Sequence, residues 1–290
     1  MALINALLNE DSTVTELAAY YLNNVVRDNY AYSTFKSYKT RLKKHILPGI
    51  GDIRIGNLKK MDVQNLVFDL KNQHNPLSGN TIRLVRSFLN CVLDFAVDME
   101  IIGRNVSDRI KLPKQAKYQP RIYTKIEIKN LLQAAKGTKL YLPILLAVKT
   151  GLRRSEILAL RWKDIDFDSK TITVTKTTIE QPLGYPKTRS SYRRIQPPDS
   201  VMSALEKHRL VPNGQIYVVS KIDNSPYNPS YISRSFNELL RVNDLPPIRF
   251  HDLRHAYATH SYFNGMPIKD LSASLGHNSA ATTLDNYVHV

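Results

Sequence analysis

Residues 171 to 195 read TITVTKTTIEQPLGYPKTRSSYRRI, and this stretch decides the fold class. From Thr171 to Ile179, Ile172 and Val174 alternate with β-branched neighbours, which is the period of a strand. Gln181 to Gly184 make a turn, and Lys187 to Ile195 run back as the second arm of a hairpin. Helical spacing surrounds the hairpin: about Lys125 to Ala135, Tyr141 to Val148 and Arg154 to Leu160 precede it, and helices dominate the remainder. The expectation is an α+β chain whose second part is mainly helical around a small antiparallel sheet.

Upstream the pattern is helical throughout. Thr13 with Glu16 makes a capping box ahead of Leu17, Tyr20, Tyr21 and Val25. Ser33 is placed to cap a second helix that carries Phe35, Tyr38, Leu42 and Ile46 on one face and Lys36, Lys39, Lys43 and Lys44 elsewhere. A third helix runs from about Asn80 through Ile82, Val85, Leu89, Val92 and Ala96 towards Gly103 as its C-terminal cap. Leu112 to Pro120 (LPKQAKYQP) has two prolines and little apolar content, so it reads as a linker. The predicted organisation is an all-helical domain over 1–113, a linker over 114–120 and a second domain over 121–290.

Forty-one Lys and Arg against 25 Asp and Glu leave a formal charge of +16, which favours a polyanionic partner through phosphate attraction and counterion release. The excess sits mainly in the second domain. No apolar run long enough to span a bilayer and no lipidation motif is present, and Met1 to Asn9 lacks the features of a signal peptide, so a cytoplasmic protein acting on nucleic acid is expected. Neither the P-loop nor the dinucleotide fingerprint occurs, which argues against ATP dependence. A single cysteine, Cys91, excludes an internal disulfide and a thiolate zinc cluster. No histidine and carboxylate set has metal-ligand spacing, and no cofactor is expected.

Four local motifs could carry chemistry. In Thr150-Gly151-Leu152-Arg153-Arg154-Ser155-Glu156 a glycine turn leads into a helix, so Arg153 can offer a planar fork to phosphate oxygens with Glu156 to orient it; taken alone, the motif is better read as a solvated helix-start arginine with a capping acid. The basic arm Lys187-Thr188-Arg189-Ser190-Ser191-Tyr192-Arg193-Arg194 could lie along a DNA groove, with Lys187 delivering a proton, or could be a charged edge strand that discourages aggregation. His251-Asp252-Leu253-Arg254-His255 sits on a helix beginning just after Pro246-Pro247, where spacing of three puts His251 and Arg254 on one face and sends His255 and His260 elsewhere. Finally, Leu275-Gly276-His277 precedes Thr283-Leu284-Asp285-Asn286-Tyr287-Val288-His289, and Pro267 to Tyr287 also resembles a helix-turn-helix DNA reader.

Taken in order, GLRRSE, a lysine on a β-hairpin, HDLRH, LGH and the tyrosine of TLDNYVHV resemble the tyrosine recombinase family, the phage-integrase class. The resemblance covers the whole second domain by motif and the helical domain, as a DNA-clamping core-binding domain, by pattern. It implies that Arg153 and Arg254 clamp a scissile phosphate, Lys187 is the general acid for the leaving 5′ oxygen, His251 assists proton transfer and His277 hydrogen-bonds the phosphate. Glu156 would support the arginines, Tyr287 would form a 3′-phosphotyrosyl link, and Lys36, Lys39, Lys43, Lys44, Arg189, Arg193 and Arg194 would contact double-stranded DNA. Family members act without metal or ATP as homotetramers on two duplexes, and an excisionase and a DNA-bending protein are expected accessories. PKTRSSYRRI and TLDNYVHV look like the mobile-element branch.

The family often has a further strand or helix beyond the tyrosine and an arm-site domain at the N-terminus. Here three residues follow Tyr287 and Met1 to Asn9 is too short for such a domain, so a shortened chain or a simpler recombinase is expected. The competing expectations are a type IB topoisomerase, which nicks and reseals one strand, and a DNA-binding regulator without catalysis.

Overall fold

The computed structural model describes residues 8–114, 120–175, 192–209 and 216–276. Contacts divide the chain into two compact units, Met1–Tyr118 and Gln119–Val290.

The first unit is helical. Thr13 accepts from the Glu16 backbone amide at 3.2 Å while Glu16 accepts from the Thr13 amide at 2.8 Å, and this reciprocal cap starts α1 (Val14–Tyr20). A widened π-helical stretch (Tyr21–Val26) leads into α2 (Arg27–Asn29), and α3 (Tyr32–Arg41) widens likewise over Leu42–Ile46 before α4 (Leu47–Ile50). The cap expected at Ser33 is corrected: the N-cap is Ala31, two residues earlier, and no side chain caps the helix. Helix α5 (Lys60–Asn72) was not foreseen, although Val63, Leu66, Val67 and Leu70 are buried at helical spacing. Ser78 caps α6 (Gly79–Asp98), which ends at Met99 and not at Gly103, because Glu100 takes the left-handed turn at φ 58°. The core closes around Phe88, whose ring meets Tyr38 at 4.5 Å between centroids.

In the second unit, Thr124 and Glu127 form the capping box of α7 (Lys125–Ala135). Helix α8 (Tyr141–Thr150) is buried from Leu142 to Val148, as an all-round apolar sequence requires, and ends at Gly151. Helix α9 (Arg154–Ala159) follows, then β1 (Ile165–Asp166), β2 (Thr171–Val174) and β3 (Arg193–Ile195), which form an antiparallel sheet in that order. Ile172 pairs with Ile165 on one side and with Ile195 on the other. β1 was not expected, being two residues long. The expected turn Gln181–Gly184 and the first part of the returning arm lie outside the described residues. Helices α10 (Asp199–Arg209), α11 (Pro229–Val242), α12 (Asp252–Phe263) and α13 (Ile268–Leu275) complete the unit. The structure is thus mainly helical with one small antiparallel sheet, the architecture expected from the hairpin.

Gly151 joins fold and site. Its φ of 66° is left-handed, and a Cβ placed there would overlap the Tyr257 ring of α12 and stand 2.9 Å from Leu275 Cδ2 of α13. Gly151→Ala is therefore expected to cost about 1–2 kcal/mol for the left-handed backbone and about 1–3 kcal/mol for overpacking. A lowered urea midpoint with unchanged slope checks this; an unchanged midpoint contradicts it.

Candidate active site

Four elements bring the charged residues of this site together. Arg153 is the N-cap of α9, and Glu156, one turn in, accepts from its backbone amide (2.8 Å) and from its Nη1 (2.9 Å). Arg193, from β3, donates Nη1 and Nη2 to the two oxygens of the same carboxylate at 3.0 and 2.8 Å. Glu156 is thus buried with four donors. Burial alone would raise its pKa; the hydrogen bonds and charge of Arg193, followed by Arg153, outweigh that and hold it below the ordinary carboxylate range.

Arg254 comes from the first turn of α12 and is 1% exposed. Its Nη1 donates to Gly151 O and its Nη2 to Leu275 O, each at 2.6 Å. The end of α13 gathers all three arginines: Arg193 Nε donates to Ser274 O (2.6 Å), Arg254 to Leu275 O and Arg153 Nη2 to Gly276 O (3.3 Å). The last carbonyls of a helix lack intrahelical partners and carry the negative end of its dipole. Three guanidiniums on three consecutive carbonyls therefore have a physical cause.

His251 is the N-cap of α12. The helix begins five residues after Pro246-Pro247, with Ile248 and Phe250 buried in between. Asp252, fully buried, accepts from the Arg249 amide at 2.8 Å and pairs with its guanidinium at 2.9 Å. The expectation that His255 points away from His251 is corrected: the rings meet edge to face, 5.2 Å apart at 86°. Spacing of four is a neighbour relation on a helix, so the sequence carried that signal. His260 does serve the fold, its Nε2 lying 2.8 Å from Tyr123 O.

His251 counts as exposed over the whole residue, yet desolvation of its imidazole, with His255 and Arg254 as the next causes, pushes its pKa down to about 4. Desolvation also lowers His255. Both imidazoles are therefore neutral near pH 7. Because the folded pKa lies below that of the unfolded chain, the unfolded state takes up protons first as pH falls from about 6.5 towards 4. Their contribution to stability is full above that window and is lost through it. The thermal midpoint should drop across the window, and His251→Gln with His255→Gln should flatten the drop; an unchanged profile in the double variant contradicts this assignment.

Of the other expected site residues, Lys36 and Lys39 are exposed on α3 and Lys43 and Lys44 in the turn after it. Arg194 is exposed as well. Arg193 departs from expectation: its side chain is 6% exposed and its donors go to Ser274 O and to the two oxygens of Glu156. The alternation of β3 explains this, since Arg193 shares a face with buried Ile195 and Arg194 takes the other. Lys187, Arg189, His277 and Tyr287 lie outside the described residues. Among the described residues no group of three or more His, Cys, Asp or Glu side chains is placed to hold a metal ion, and no helix is long and apolar enough to cross a membrane.

Comparison with known proteins follows the same division. The pattern of the phage integrase family matches residues 121–290, and that of the phage integrase N-terminal SAM-like domain matches residues 13–71. The sequence is 28% identical to a tyrosine recombinase XerC-like protein of Caldanaerobacter subterraneus, over 97% of this chain and 80% of the relative. It is 30% identical to a tyrosine recombinase of Thermosipho africanus, over 96% of this chain and 95% of that one. In fold it resembles the Tn1549 transposon integrase solved in complex with transposon right end DNA, with a TM-score of 0.80, 22% identity and 96% of each chain covered.

Proposed function

The chain belongs to the phage integrase family of tyrosine recombinases, and from that premise we propose that it is a site-specific DNA recombinase acting through a covalent 3′-phosphotyrosyl intermediate on Tyr287. One observation carries the reading: Arg153 and Arg254, 101 positions apart in sequence, converge on adjacent carbonyls at the end of α13.

In this mechanism Tyr287 attacks the scissile phosphorus, its oxygen forms the new P–O bond, and the 5′ oxygen leaves with a proton from Lys187. Negative charge gathers on the non-bridging oxygens in the transition state, where Arg153, Arg254 and His277 meet it. Fixed guanidiniums are suited to this because their orientation is set before substrate binds. His251, neutral near pH 7, accepts the Tyr287 proton, and a bound phosphate anion raises its basicity. The phosphotyrosyl bond conserves the phosphodiester, so the 5′ hydroxyl of another strand attacks it and reseals without ATP. Duplex DNA is held by the helical unit through Lys36, Lys39, Lys43 and Lys44 and by the catalytic unit through Arg189 and Arg194. Recombination of two duplexes requires a homotetramer, with excisionase and DNA-bending proteins as accessories in a mobile element.

A nicked duplex carrying the recombination site tests this, because loss of the short fragment prevents resealing. The expected product is a covalent protein–DNA adduct at a 3′ phosphate, followed by strand exchange between duplexes. Supercoil relaxation without exchange would indicate a topoisomerase, and specific binding without adduct would indicate a regulator.

A further inference from the structure

Resting on the recombinase reading, we propose that Arg193 is a positioning residue for strand cleavage, setting the Arg153 guanidinium through Glu156 and pinning the end of α13. Three of its nitrogens are committed inside the protein, Nε to Ser274 O and the two η nitrogens to the two oxygens of Glu156. The side chain is 6% exposed.

The consequence follows from donor and acceptor geometry. A carboxylate facing one arginine takes both ends of its fork. Here Arg193 occupies both Glu156 oxygens, so Arg153 gives the carboxylate only Nη1 and directs Nη2 to Gly276 O. Arg193 thus keeps Glu156 from capturing the whole Arg153 fork. Through Ser274 O it also ties β3 to the last turn of α13, beside the carbonyls that receive Arg254 and Arg153. Lysine cannot replace it: an ammonium on a flexible stem holds neither the two-oxygen fork nor the third bond.

The test compares Arg193→Lys with the unsubstituted chain in thermal midpoint, DNA affinity and adduct formation on saturating nicked duplex. Affinity should change little, while the adduct rate should fall roughly 100-fold, as when a catalytic group is displaced by about an ångström. In an Arg153→Lys background the further loss should shrink below about 3-fold, because the group being positioned is already gone. A residue serving only stability would instead lower the midpoint, and its effect would multiply with that of Arg153→Lys. Such multiplication, or an adduct rate for Arg193→Lys within about 3-fold of the unsubstituted chain, overturns the proposal. If Arg193→Lys does not fold, Arg193→Met with Glu156→Gln removes both charges, leaving Ser274 O without its Arg193 donor, and the same separation of rate from affinity is read. Absence of adduct from the unsubstituted chain is a different failure, that of the recombinase reading itself.

Discussion

Arg254→Ala is expected to abolish strand cleavage and to destabilise the catalytic unit together. The side chain is buried and braces the ends of α8 and α13 through Gly151 O and Leu275 O. Truncation leaves both carbonyls without this donor, which costs about 1–3 kcal/mol for each, and opens a cavity besides. For a unit of this size that lowers the thermal midpoint by about 10 °C. Loss of one preorganised donor to the transition state adds a further roughly 100- to 1,000-fold in rate. Arg254→Lys separates the two effects, because its single ammonium restores part of the charge without the planar fork. It should recover more stability than activity. Full cleavage by Arg254→Ala, measured at a temperature where it remains folded, contradicts the phosphate-clamp role.

Tyr287→Phe has the opposite signature. Removing one hydroxyl oxygen takes away the proposed nucleophile and no formal charge, so duplex binding should remain within about 3-fold while adduct formation is lost entirely. The pair of variants therefore distinguishes a residue that both braces the fold and meets substrate from one that supplies only the attacking atom. Comparable loss of binding and adduct in Tyr287→Phe would instead assign the residue to DNA recognition.

Most of the architecture was legible because local signals agreed with it. Thr13 with Glu16, Ile172 alternating with Val174, and the apolar run of α8 each specify one conformation by capping, period or burial. Ser33 misled because a serine near a helix start is only a candidate cap; the helix is capped two residues earlier, at Ala31, without it. Within the site, sequence order named Arg153, Glu156 and Arg254 and could not supply the backbone acceptors at the end of α13, Ser274 O for Arg193, Leu275 O for Arg254 and Gly276 O for Arg153, since backbone acceptors have no residue signature. The inward placement of Arg193 follows from strand period, which charge does not report: Ile195, two positions on and on the same face of β3, is buried. His255 was misplaced by attending to spacing of three and not of four.

In the proposed mechanism one tyrosine carries the broken strand. Protease digestion of the adduct trapped on a nicked duplex, followed by mass spectrometry of the peptides, should find the nucleotide remnant joined through its 3′ phosphate to Tyr287 and absent from every peptide of Tyr287→Phe. A remnant on another residue, a 5′ linkage, or an adduct that persists in Tyr287→Phe would contradict it.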